Sequence, residues 1–265
     1  MGADGSADAY RQLSFVRGDD VDLVLLGLNL EGAVAEASSA AKYRTQKMAS
    51  ALGLWSRAWL TRLEALHAVE CGNYVAALPL IRAAADYQAS ALYLLRSDAA
   101  EWEEWLDSGG IALAPDEHAT EYRLHAFRAA EVLAVHDILG PLYRAATDLS
   151  LGHFGSTLML AGGDSTPDRV LMTFGDRDFH LGLAELELGW LLLLGVAQIE
   201  SVIEYEGVFA IPDRSALDAF RHDARAKAVD TSRCSMEIVE RVGETRYLVH
   251  NWRRAPGSAA KRLFL

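Results

Sequence analysis

From residue 19 onward, apolar side chains recur mostly at three- and four-residue spacing, the period of a helix with one buried face. Asp19 and Asp20 suit an N-cap and first turn, and open a long stripe through Leu25, Leu28, Val34, Tyr43 and Leu52. Bends are expected near Gly27, Gly32 and Gly53. Trp55, Trp59, Leu63 and Leu66 lie at i, i+4, i+8 and i+11 on one face of a second helix, ended by Cys71-Gly72-Asn73. A third stripe carries Tyr74, Leu78, Ile81, Ala85, Ala89 and Leu92, with Pro79 in its second turn. A short amphipathic piece holds Trp102 and Trp105, and Pro115 with Asp116 and Glu117 opens a further helix after the Gly109-Gly110 turn.

Gly140-Pro141 interrupts the pattern before a helix over about 142–160. Residues 161–178 break the helical period, and Arg169 to Phe174 reads as a lone short strand without a partner. Asp178 is placed to cap an apolar helix running to about Glu206, Pro212-Asp213 to start another, and Ser232 to cap a last one ending near Gly243. The class predicted is all-α, a single bundle of about seven to nine helices. Residues 1–18 read as a flexible arm, 19–243 as the bundle domain, and 244–265 as a basic C-terminal tail. That tail has net charge +4 against −16 for the rest of the chain, so the sign change marks it as a separate element. At most one short hairpin is expected beside the helices.

Composition narrows the function classes. The chain has 265 residues, is 51% apolar and 23% charged, and carries a net charge of −12. That size and apolar content support a compact core and exclude a disordered or linker-rich chain. The negative surface repels phosphate backbones and anionic lipid, so nucleic acid is not expected as a partner, nor a membrane. Cys71 and Cys234 lack metal-ligand or redox spacing and read as reduced thiols of a cytoplasmic protein. The N-terminus has no secretory pattern. The most apolar run, Leu188 to Ile199, is flanked by Glu185, Glu187, Glu200 and Glu204, which fits a buried core helix better than a membrane span.

Several groupings could carry chemistry. Glu64 and His67 form a Glu-x-x-His pair on a helix, half of a di-iron motif that has no second copy; a solvated helix face is the simpler reading. His118, Glu121 and His125 share one helical face at i, i+3 and i+7, a spacing that suits Zn or Fe with a further carboxylate. Arg62 and His67 match the Arg-x4-His spacing of HEPN-type ribonucleases, in which both side chains act on the scissile phosphate. Asp176, Asp178 and His180 meet at a loop-to-helix junction, where capping explains Asp178. Trp252 beside Arg253 and Arg254 suits a protein contact, either with the chain's own acidic body or with a second subunit.

The most informative stripes are Arg82 with Asp86, and Tyr143, Thr147, Ser150 and His153. Arg82 and Asp86 lie at i, i+4 beside an apolar stripe and are expected to pair, while the second set gives an otherwise apolar helix one polar side. Buried polar groups need partners, so Arg82, Asp86, Tyr143, Ser150 and His153 are expected to converge. At these residues the chain resembles a loosely defined set of uncharacterised all-α bacterial proteins with an Arg-x3-acid helix and a later Tyr and Ser-x-x-His helix. The resemblance spans about 20–205, departs in having Asp86 where Glu is commoner, and implies a bundle with a shared polar centre but no established activity.

Two function classes follow. The first is a binding module for a protein partner or small ligand, with homo-oligomerisation through the Trp-rich helices. The second is a hydrolase or HEPN-like ribonuclease using Arg82, Asp86, Ser150 and His153, or Arg62 and His67. The first is preferred, because each candidate site has an adequate structural explanation. No cofactor and no metal are expected. Elemental analysis of purified protein is therefore expected to find no stoichiometric metal; about one Zn or two Fe per chain would instead point to His67 and the His118–His125 face.

Overall fold

The computed structural model describes residues 4–39, 45–98, 100–103, 129–162, 165, 168–241 and 243–265. Helices dominate these residues, as an all-α bundle requires, and a small three-stranded sheet is attached to them. Helix α1 (Asp4–Ser39) leads into α2 (Gln46–Glu70), whose N-cap Thr45 accepts from the Met48 amide at 3.2 Å. A tight turn at Gly72 reverses the chain into α3 (Tyr74–Arg96), so α2 and α3 form a closely packed helical hairpin. Gly72 has φ of +68°, and a Cβ there would come within 2.4 Å of the Arg177 carbonyl, so this turn needs glycine. Three shorter helices follow, α4 (Ala129–Val135), α5 (Leu139–Ser150) and α6 (Phe154–Ala161). Asp213 caps α8 (Arg214–Ala228) by accepting from Ala216 N at 3.0 Å, where Pro212-Asp213 predicts a helix start.

Helix α7 (Leu181–Glu204) is the centre. Helices α1, α2, α3, α5 and α8 and one strand all pack on it. Its mean hydropathy of 1.6 would suit a membrane span by length and composition, but 78% of that stretch is buried against the rest of the fold. The ring of Phe220 from α8 wedges between α1 and α7, at positions where only glycine leaves room: a Cβ on Gly27 would lie 2.5 Å from it.

The sheet has order β1-β2-β3 and is antiparallel throughout: β1 (Ser235–Arg241), β2 (Glu244–Trp252) and β3 (Lys261–Phe264). Gly243, at φ of +79°, makes the tight β1–β2 turn. The segment after β2 covers the start of α7. The Leu181 and Gly182 amides donate to the Arg254 and Arg253 carbonyls, both at 2.9 Å. Backbone therefore satisfies this helix end, and Asp178, outside the helix, does not cap it.

Several expectations are corrected. Residues 4–18 are not an arm but the first half of α1, with Ala9 and Leu13 buried. Asp19 and Asp20 consequently fall inside a helix whose kink is at Arg17 (φ −137°, ψ 24°), and α1 runs unbroken through Gly27 and Gly32. The segment from Ser235 to Arg241 is a strand, not helix, and Tyr247, Leu248, Val249 and Leu263 tie the supposed tail into the fold. Arg169 to Phe174 forms no strand of the sheet.

Two buried carboxylates lock these pieces together. Asp20 of α1 accepts from Arg233 Nη1 at 2.6 Å and pairs with Lys227 Nζ at 2.9 Å. Glu185 of α7 accepts from Arg17 and from the Cys234 amide (2.8 Å), with Arg253 Nη2 3.7 Å away. Burial, reinforced by the Glu185 charge, pushes the Cys234 thiol up to about 12. Removing one partner of such a network leaves uncompensated charge in a poorly solvated place. Glu185→Gln is expected to cost about 3–5 kcal/mol in chemical denaturation. A loss below about 1 kcal/mol would show that solvent carries Arg17 and Arg253 without it.

Candidate functional site

A cavity of about 370 Å3 opens between α1 and α2. Glu31, Gly32 and Ala35 line it from α1, and Leu52, Trp55, Ser56 and Trp59 from α2. The helical period accounts for this grouping: one turn of α1 faces two turns of α2. A Cβ on Gly32 would meet nothing within 4 Å, so the wall is open there. Its firmest part is a polar anchor. Glu31 Oε2 accepts from Arg62 Nη2 at 2.5 Å and from Trp55 Nε1 at 2.9 Å, and all three residues are buried. Trp59 Nε1 donates to the Leu28 carbonyl at 2.9 Å, while the far side of Trp55 packs edge-on against Phe209, with centroids 5.3 Å apart. Glu31 Oε1 and Arg62 Nε, also buried, carry no hydrogen bond.

A second polar group lies at the start of α7. His180 Nε2 is 3.0 Å from Asp176 Oδ2, with both side chains about 95% buried. Since a carboxylate accepts, this contact selects the tautomer with the proton on Nε2. Tyr74 closes the group by accepting from the His180 amide (3.2 Å) and packing edge-on to its ring. Burial pulls the His180 pKa down against the upward pull of Asp176. Arg254 stands on the outer side, 3.2 Å from Asp178 and 3.9 Å from Asp176. This is a sealed brace between α3, α7 and the segment after β2. The aromatic-arginine cluster at 252–254 thus contacts the chain's own acidic body.

The expected convergence on Arg82 is met in part. Its Nε donates to Thr147 Oγ1 at 3.1 Å and its Nη2 to the Tyr143 hydroxyl at 3.0 Å, tying α3 to α5. Asp86 does not pair with it within 4.0 Å among the described residues, although Arg82 and Arg57 are close enough to draw its pKa down against the larger upward effect of burial. Ser150 turns its hydroxyl back to the Ala146 carbonyl (2.5 Å), and His153 is exposed beyond the end of α5, at the N-cap of α6. His153 leaves the cluster because α5 stops at Ser150, so the helical period that should carry the stripe to His153 is broken; Ser150, the last residue of α5, is exposed. Asp148, beside Thr147 on α5 but not in the expected stripe, accepts from the Tyr247 hydroxyl of β2 at 2.5 Å.

Glu64 and His67 sit on an outer face, 3.8 Å apart and more than half exposed. Arg62 points inward to Glu31, so Arg62 and His67 face opposite ways and do not form the HEPN-like pair. His118, Glu121 and His125 lie outside the described residues. Among the described residues no three His, Cys, Asp or Glu side chains are grouped as metal ligands. Trp55, on one of the Trp-rich helices, is buried within the chain, its indole N–H donating to Glu31 of α1. The residues that matter most and were not foreseen are Glu31, Glu185 and Glu187. Their common signal is an acid on a stripe that is otherwise apolar, as with Val24, Leu28, Glu31 and Val34.

Glu187 is fully buried on α7 and neither carboxylate oxygen has a partner. Burial pushes its pKa well above the usual carboxylate value, which favours the protonated acid in the folded state. Its contribution is fully present at low pH and is lost as the unfolded chain's Glu ionises while the folded one resists. Glu187→Gln should therefore leave stability nearly unchanged near pH 4 and gain on wild type by about 1.4 kcal/mol per pH unit above the ordinary Glu pKa, until the folded carboxyl ionises. Denaturation midpoints that differ equally at both ends of that range would contradict it.

No known protein family, curated protein or solved structure matches this chain.

Proposed function

We propose that this chain is a binding domain for a small organic molecule, with its site in the cavity between α1 and α2. The observation that supports this reading is the cavity itself: about 370 Å3, within the ordinary range for small-ligand sites, with two tryptophans and one fixed carboxylate on its wall. Tryptophans supply flat apolar contact area at low conformational cost. The Glu31–Arg62 pair, held on a third side by Trp55, keeps the wall in one arrangement before anything binds. The hydrolase and ribonuclease alternative has less support, since Ser150 and His153 stand apart from Arg82 and His67 from Arg62.

Gly32 gives a direct test. Leucine there meets no neighbour at its Cβ, replaces a helix-interior glycine, and projects from the cavity wall. Gly32→Leu should keep or raise the melting temperature and abolish cavity binding. A set of flat aromatic fragments, followed by shifts of the Trp55 and Trp59 indole N–H resonances, would read this out. Binding that survives Gly32→Leu, or a wild type that binds none of the set, would end the proposal.

A further inference from the structure

We infer that the cavity takes a flat, uncharged, hydrocarbon-like ring system and offers it no polar contact inside the mouth; the inference rests on the binding site proposed above and names its ligand class. The polar side chains in the wall are spent on other parts of the chain. The Trp55 indole N–H donates to Glu31, and the Trp59 indole N–H to the Leu28 carbonyl. The Glu31 side chain has no solvent-accessible surface and that of Arg62 keeps 2%, so this ion pair belongs to the framework of the wall and not to its surface. Arg62 Nη1 faces α7, where it would lie 3.6 Å from a Cβ on Gly195. Among the described lining residues Ser56 is the remaining one with a polar side chain, and it is exposed at the water's edge.

The shape leads to the same ligand class. On α1 the buried stripe of Val24 and Leu28 continues at helical spacing to Gly32 and Ala35, so large apolar residues give way to small ones across from Trp55 and Trp59. The recess is the room that larger side chains at those two positions would fill in a close-packed helix contact. A ligand there stands in for the missing apolar side chains and is held by the apolar surface it removes from water. A charged ligand would lose hydration without gaining a counter-charge, since Glu31 and Arg62 neutralise each other out of its reach. A neutral ligand with a donor or acceptor inside the recess would leave that group unpaired. What fits is a pair of fused rings packed against the two tryptophans, with any polar substituent on the Ser56 side.

Naphthalene and 1,5-naphthyridine test this with the full chain. Both are uncharged at neutral pH and share one fused-ring shape, but the second carries ring nitrogens at opposite ends, so one is buried whichever way it enters. Titration of each into wild type and Gly32→Leu is followed by the Trp55 and Trp59 indole N–H resonances. Naphthalene is expected to bind wild type roughly tenfold or more tightly than 1,5-naphthyridine, and to lose that binding in Gly32→Leu. The comparison of the two ring systems needs only the wild type. Affinity for 1,5-naphthyridine equal to or above that for naphthalene, with both lost in Gly32→Leu, would overturn the apolar ligand class and leave the cavity as a binding site. No binding of either, or binding indifferent to Gly32→Leu, would overturn the ligand class and the site together.

Discussion

Two carboxylates that solvent cannot reach, Asp20 and Glu185, organise the molecule. Each would be costly to bury alone, and each is made tolerable by cations from distant parts of the chain: Arg17, Lys227, Arg233 and Arg253. The first helix, the core helix, the end of α8 and the sheet therefore meet at one place. Four cations surround two acids, and the excess is tolerated because Arg17 and Arg253 keep about a quarter of their side chains in contact with water. The kink in α1 falls at Arg17, the residue whose guanidinium reaches Glu185.

The same device appears on a smaller scale at the cavity. Glu31 and Arg62 are 31 positions apart, and their pairing fixes where α1 and α2 touch. Between them α1 uses glycine in two opposite ways. Gly27 admits the Phe220 ring, so the helices close tightly there, whereas one turn further along Gly32 faces open space. Tight packing below and an unfilled position above make a rigid recess. The polar brace at His180 and the Arg82–Tyr143–Thr147 contact hold the opposite flank of α3.

The helices were legible because burial on one face leaves a 3.6-residue imprint, which is strongest in α5 and α8. The sheet was not, because its strands carry little contrast between faces: β2 buries only Leu248 and Val249 fully, and β1 exposes Ile238. A two-residue period needs one dry face to show. The Gly243 turn was the available clue. The start of α1 was hidden by its small and polar residues, yet Ala9 and Leu13 already keep the helical spacing. At the site, pairing within a helix was expected from i, i+4 spacing, but Arg82 found its partners on α5 instead. Contacts between residues 31 and 62, or 20 and 233, leave no local trace; only an acid stranded on an apolar stripe hints that a cation must come from elsewhere.

The clamp also dictates an order of events during synthesis. Arg17 leaves the ribosome 168 residues ahead of Glu185, and Asp20 precedes Arg233 by 213. Helix α7, long, apolar and largely buried, is translated before Arg233 and Arg253 exist to neutralise its acid and before residues 253 and 254 cover its first amides. Until then the apolar faces of this helix that the later segments cover are open to contact with other chains, the situation in which incompletely packed chains aggregate.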